Sequence, residues 1–340
     1  MLLLLLASSS VDWNFDKYTE PLPEQFVSAS VCADCHQEQY QQWKDSRHAL
    51  AWNNDLMQAG YIMEPETFCA LCHAPYAEQL AEIQANESWY HAQHPTKGSL
   101  LNIPDKKAEP LAAEGITCAA CHLRGGTILS SNDVALAAHP TQSTPFLKSS
   151  EFCKDCHDFP ILEIHNEKID VSTTPMQTTY TEWKDWTQQG GKESCQDCHM
   201  PNGSHHFYGA NHRPSLKDSI QIHRESDDQK TIFTIESIGV GHNLPSGDIL
   251  RRITLQIQRD QHWEIIHTMG KNFVIQMEDG LPRKRLQSNS SLQPGIPQRI
   301  SVSAPQNTPW RVVYHYASAE DELRAMVSYD QLIYILAAGP

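Results

Sequence analysis

The rhythm of apolar and polar positions changes near residue 218. Before it, helical spacing marks Ala33 to Asn53, Tyr76 to His91 and Thr178 to Gln189, the last carrying Tyr180, Trp183 and Trp186 on every third position. Long irregular connections separate these stretches. After it come short β-rich runs: Thr231 to Glu236, Ile253 to Ile257, Trp263 to Thr268, Arg299 to Ser303 and Trp310 to Tyr316. Turn signals such as Asp227-Asp228, Asp279-Gly280 and Pro294-Gly295 punctuate them. Strands so short and so spaced imply a small β-sandwich, with a helical or irregular tail from Ala319 onwards. The chain opens on Met1 and five leucines, Leu2 to Leu6, then Ala7 and three serines. This is a short apolar core without a basic flank, and it is read as the remnant of an export signal. No cysteine precedes Cys32, which argues against a lipid anchor on a cysteine near this stub. The expected divisions are 1–10, an export remnant; 11–217; and 218–340, a β-rich domain. No run of 18 apolar residues exists, so no helix is expected to span a bilayer.

Composition narrows the classes of partner. The 340 residues carry a formal charge of −15. A nucleic-acid binder needs a basic footprint, and so does a polybasic grip on anionic lipid. Neither is expected. Eight Trp, eleven Tyr and nine Phe, without any low-complexity tract, argue against disorder. The unusual counts are ten Cys and eighteen His.

All ten cysteines fall in one motif, repeated five times: Cys32-Ala33-Asp34-Cys35-His36, Cys69-Ala70-Leu71-Cys72-His73, Cys118-Ala119-Ala120-Cys121-His122, Cys153-Lys154-Asp155-Cys156-His157 and Cys195-Gln196-Asp197-Cys198-His199. C-x-x-C-H is the attachment site of c-type haem. Two thiols at this spacing reach the two vinyl groups of one porphyrin, and the histidine that follows becomes an axial ligand of the iron. Zinc would take two cysteine pairs per ion, and five pairs do not divide so. A thioredoxin-like site uses one pair, and a disulfide framework has no reason to place His after every second cysteine. Five covalently attached haems are therefore expected. They replace side-chain core in the region that binds them, so that 11–217 becomes a pentahaem domain that does not fold without its haems. The expected fold class is mixed: an irregular, helix-poor multihaem domain with short helices packed on the haems, then a small β-sandwich-like domain. Covalent attachment of this kind takes place outside the cytoplasm, which agrees with an exported protein, periplasmic or at the cell surface.

The words between the motifs resemble a family of exported multihaem cytochromes c related to the cytochrome that accepts electrons from hydroxylamine oxidoreductase. They include Gln42-Trp43 with Ser46-Arg47-His48-Ala49; Cys72-His73-Ala74-Pro75; Glu114-Gly115-Ile116-Thr117-Cys118 continuing to Gly125-Gly126; Phe152-Cys153; Glu182-Trp183; His199-Met200-Pro201; His205-His206-Phe207-Tyr208-Gly209; and Gly241-His242-Asn243-Leu244-Pro245-Ser246-Gly247. The resemblance covers roughly residues 30 to 260. It implies a style of haem packing and electron transfer rather than a substrate.

Thirteen histidines remain after the five motif residues, enough for a second imidazole on every iron. His48 ends a family word and is the first distal candidate. His242 sits in a tight Gly-bounded loop; His205 matches the H-x-F-x-G word; His212 follows it; and His139 precedes a proline after a helical stretch. His91, His94 and His165 are reserves, Met176 is a possible axial ligand, and Met200 is too close to His199 to turn back on the same iron. His223, His262, His267 and His315 are read as bystanders. Asp34, Asp155 and Asp197 are candidates to orient the imidazoles or simply face water. With no cluster of catalytic residue types, the leading expectation is an electron carrier. Its partners would be other cytochromes or redox enzymes, docking through a basic face. A reductase or oxidase of a small nitrogen or sulfur compound at one open haem is the alternative. A further one is a structural protomer of a haem filament or of a membrane-associated redox complex.

Overall fold

The computed structural model describes residues 28–63, 69–83, 111–132, 139–165, 168–227, 229–278, 280–317 and 327–340. The motif region is built from single helical turns. Ala70–His73, Cys118–His122, Lys154–His157 and Cys195–His199 each end on the motif histidine. A helical turn suits the motif because residues i, i+3 and i+4 share one face, so both thiols and the imidazole project together. The first motif differs: Ser30–Ala33 closes early, and His36 caps the following helix Gln37–Lys44. The single helix expected over Ala33 to Asn53 is therefore broken at the motif and again at Asp45, with a further helix at Asp55–Met63. The helix expected from Tyr76 occupies 77–83, and its remainder falls outside the described residues. Thr179–Gln188 is helical as its spacing predicts.

Sequence rhythm gave no warning of the strands inside the motif region. β1 (Leu123–Arg124), β2 (Thr127–Ser130) and β3 (Gln142–Ser143) form a small sheet in that order. β4 (Asp158–His165) and β5 (Lys168–Thr178) form an antiparallel hairpin. Prolines inside a run speak against a strand. Here Pro160 and Pro175 face each other at a register shift, where the ladder tolerates two missing donors.

From Ile220 onwards the chain makes two facing sheets. β6 (Ile220–Ser226), β7 (Thr231–Ser237) and β11 (Gln298–Val302) order as β11-β7-β6. β8 (Arg252–Arg259), β9 (His262–Glu278), β10 (Leu281–Asn289), β12 (Trp310–His315) and β13 (Ile333–Gly339) order as β10-β9-β8-β12-β13. Phe233 and Ile235 of one sheet meet Ile253, Leu255, Ile257, Met269, Val312 and Tyr314 of the other in a continuous apolar core, as a sandwich requires. The other face of the larger sheet also buries side chains. Val313, Leu332 and Ile333 pack on Ala59 and Leu56 of helix Asp55–Met63, which fastens the sandwich to the motif region. The tail departs from expectation: one turn, Tyr329–Leu332, leads into β13, which completes the sheet beside β12.

Candidate functional site

One continuous cavity of about 3010 Å³ runs through the motif region. All ten motif cysteines, all five motif histidines and all five distal candidates line it. Its volume is about three times the upper end of ordinary small-molecule pockets, as an array of several large cofactors needs. None of the cysteines is in a disulfide. Among the described residues, no three or more His, Cys, Asp or Glu converge on one point. Thiols of different motifs lie within hydrogen-bond reach: Cys32 with Cys118, Cys72 with Cys156, and Cys153 with Cys195. Neighbouring motifs thus bring their attachment edges together.

Four imidazole pairs cross the cavity. His36 faces His139 at 6.1 Å between ring centroids, His48 faces His157 at 6.4 Å, His122 faces His205 at 6.2 Å, and His199 faces His242 at 6.2 Å. An imidazole nitrogen binds a metal ion at about 2.0 Å, so two rings on opposite sides of one iron have centroids roughly 6 Å apart. Each pair joins one motif histidine to one non-motif histidine distant in sequence. The residues therefore fit a six-coordinate iron at each pair.

Backbone carbonyls orient these rings. His199 Nδ1–H donates to Tyr208 O, His122 Nδ1 lies 3.0 Å from Leu129 O, and His242 Nδ1 lies 2.8 Å from Asn243 O. His73 Nδ1 similarly reaches Ala51 O at 2.8 Å. With Nδ1–H donating, Nε2 keeps its lone pair for a metal. The usual partner is a carbonyl or a carboxylate; here carbonyls take the role, and they carry no residue signature in the sequence. Asp197 instead closes a capping box with Ser194 at the start of Cys195–His199. Burial, with neighbouring imidazoles, holds His48 down at about 3 and His157 at about 4. His73, His205 and His242 are also lowered, chiefly by burial. All five are neutral at pH 7, the form that coordinates metal.

The distal residues are fixed by the words that flank them. Trp43 Nε1 donates to Ile116 O at 2.7 Å, and Ile116 N donates to His48 O at 2.9 Å. Gly115 makes this closure possible. Its φ is +59°, and a Cβ there would sit 2.5 Å from His48 O. Phe207 packs on His48 at 4.2 Å, and His205 N donates to Gln42 Oε1 at 2.8 Å. The Gln42-Trp43 word thus positions two of the distal candidates. In the His242 loop, a Cβ on Gly241 would meet the Trp186 ring at 2.8 Å, so the loop lies flat on that indole.

The remaining candidates divide clearly. His212 lines the cavity but faces no motif imidazole. It caps helix Arg213–Asp218, accepting from Ser215 N, and packs on Tyr208 at 4.4 Å. His73 faces no imidazole among the described residues. His91 and His94 lie outside them, and His165 is on β4. Met176 and Met200 line the cavity. His315 is buried against Thr254 Oγ1 at 2.8 Å, and His267 reaches Gln298 at 3.0 Å; both sit in the sandwich.

Attachment turns and paired imidazoles around one cavity define a multihaem c-type cytochrome. The sequence matches the family model of outer membrane cytochromes MtrC/MtrF-like, domains II/IV, over residues 24–212, and the chain belongs to that family. No curated protein matches the chain. Among solved structures, it is similar to the crystal structure of a penta-heme cytochrome c552 from Thermochromatium tepidum, with 19% identity and a TM-score of 0.63 over 92% of this chain and 97% of that one. That likeness shows the shared fold. The protein is an exported multihaem electron-transfer cytochrome, periplasmic or at the cell surface, with covalently bound haem c. Among the described residues no helix is long and apolar enough to cross a membrane.

Proposed function

We propose that each C-x-x-C-H turn holds one haem through its two cysteines and its histidine. His139, His205, His48 and His242 then close the opposite side at His36, His122, His157 and His199 respectively. The observation that carries this reading is the set of four imidazole pairs at one spacing. Bound haem supplies one-electron storage at a saturated iron. The chain's own residues hold the rings neutral, orient them through carbonyls and order the five sites along one cavity. We read 11–217 as the haem-carrying unit and 218–340 as a covering unit that contributes His242. Electrons pass between exported redox partners, and the charge of −15 favours partners with a basic docking face. The flanking words favour kinship with the acceptor of hydroxylamine oxidoreductase within the wider multihaem family.

Single substitutions of the four distal histidines test this. Each His→Ala change is expected to turn one haem high-spin without loss of haem. Unchanged spectra in any of the four would remove that residue from the ligand set. A second reading concerns His73, which faces no imidazole among the described residues: its haem binds a small exogenous ligand. Carbon monoxide titration of the reduced wild-type protein is expected to give one bound molecule per chain. None bound would assign the haem a sixth protein ligand and end this reading.

A further inference from the structure

Helix Thr179–Gln188 carries one acidic side chain that points away from solvent. Glu182 is 7% exposed, and Lys271 of β9 beside it is 5% exposed, with Nζ 3.9 Å from Oε1. Taking two charges out of water is costly unless other groups satisfy them. Here they do. Thr178 Oγ1 donates to Oε1 at 2.5 Å and itself accepts from Lys271 Nζ at 2.8 Å. Ser246 Oγ donates to Oε2 at 2.6 Å, and Asn243 N donates to the same oxygen at 3.3 Å. Thr179 Oγ1 completes the cluster at 2.8 Å from Ser246 Oγ.

Asn243 and Ser246 belong to the loop that bears His242. Asn243 is gripped at both ends: its N–H by Glu182, its carbonyl by the His242 Nδ1–H at 2.8 Å. A chain of contacts thus runs from the buried carboxylate through residue 243 to the ring that faces His199 across the cavity.

We infer that Glu182 and Lys271 form a positioning and tuning pair that fixes the His242 loop and sets the reduction potential of the haem shared by His199 and His242. This rests on the reading that those two histidines bind one iron. A buried negative charge near an iron favours the ferric state, and a nearby positive charge opposes it. Oε2 faces the loop, while Lys271 sits on the Oε1 side. Removing either partner should therefore move the potential of one haem, and the two removals should move it in opposite directions. A clasp that only joined two units would not produce opposite signs.

The test is spectroelectrochemical titration of the full-length, haem-loaded protein as wild type, Glu182→Gln, Lys271→Met and His242→Ala. His242→Ala should turn one haem high-spin and so mark which titrating component is the shared one. Glu182→Gln should keep that haem low-spin and raise its potential by about 59 mV, a tenfold change in a one-electron equilibrium. Lys271→Met should lower it. The other four haems should hold their potentials in both. Potentials that stay fixed, or that fall or rise together in both variants, overturn the inference while leaving the ligand assignment standing. Should Glu182→Gln fail to accumulate, an unmoved potential in Lys271→Met alone overturns it. If His242→Ala leaves every spin state unchanged, the ligand assignment fails, and the inference with it.

Discussion

His48 is held from three directions before any iron is considered. Its carbonyl accepts from Ile116 N, its ring packs on Phe207, and Gly115 leaves no atom where a side chain would strike its carbonyl. Two predictions belong to this scale. Replacing His48 with Ala should open one iron, seen as a new high-spin band that shifts on adding cyanide. An unchanged spectrum would show that the pairing with His157 carries no bond. Gly115→Ala forces a Cβ into the carbonyls of residues 48 and 49 at a positive φ. It should cost about 1–3 kcal/mol in chemical denaturation, with cyanide now reaching the same haem. Wild-type stability in that variant would mean that the loop is free to move aside. The motif residues and His48, His205 and His242 were legible as ligand candidates because motif spacing and local words mark them. His212 was a weaker candidate in sequence, on a level with His139. Nothing there reveals that Ser215 and Tyr208 claim its ring.

Elements show where sequence periodicity loses its hold. Thr179–Gln188 and four of the five foreseen strands are autonomous patterns that appear within a few residues of expectation, while the strand expected over Trp263 to Thr268 runs on to Glu278 as β9. The helix expected over Ala33 to Asn53 breaks at the motif, where Ser30–Ala33 closes and His36 begins a second helix. The β4–β5 hairpin was hidden by its two prolines, and β6, β10 and β13 by mixed or short runs, although β6 and β10 pair with strands next to them in sequence. β13 differs: it gains its partner from β12 across residues that include the 318–326 segment, a non-local pairing that no local window detects. The sandwich has a conventional apolar core, and its side chains should behave accordingly. Phe233, 1% exposed between the sheets, should cost about 3–5 kcal/mol when cut to Ala. A loss below about 1 kcal/mol in thermal or chemical unfolding would show that the two sheets do not share one core.

At the scale of the whole molecule, the cavity of about 3010 Å³ takes the place of a core in the motif region. Two consequences follow from filling it with haem. The intact mass should exceed that of the polypeptide by five haems, and in protein made without haem maturation the motif region should lose its protection from proteolysis. Acid acts on the buried rings of the same cavity. His48 and His157 sit at about 3 and 4 in the folded protein, against 6.5 for a free imidazole. Between these values the unfolded chain binds protons that the folded chain refuses, so stability is complete above about pH 6.5 and declines as pH falls. Each such ring contributes up to about 1.4 kcal/mol per pH unit across its window. Denaturation midpoints measured from pH 8 to pH 4 should fall steadily below pH 6.5, and a flat profile would show that the rings are not buried neutral.

The central claim is that four irons each lie between two imidazoles drawn from distant parts of the chain. Low-temperature near-infrared magnetic circular dichroism of the oxidised protein reads axial ligation directly, because bis-imidazole, imidazole–thioether and high-spin irons absorb at different energies. With intensity referred to five haems, at least four should carry the bis-imidazole signature, and one alone should be left to report a different ligand or an open site. Two or more haems with thioether or high-spin signatures would contradict the pairing on which the account stands.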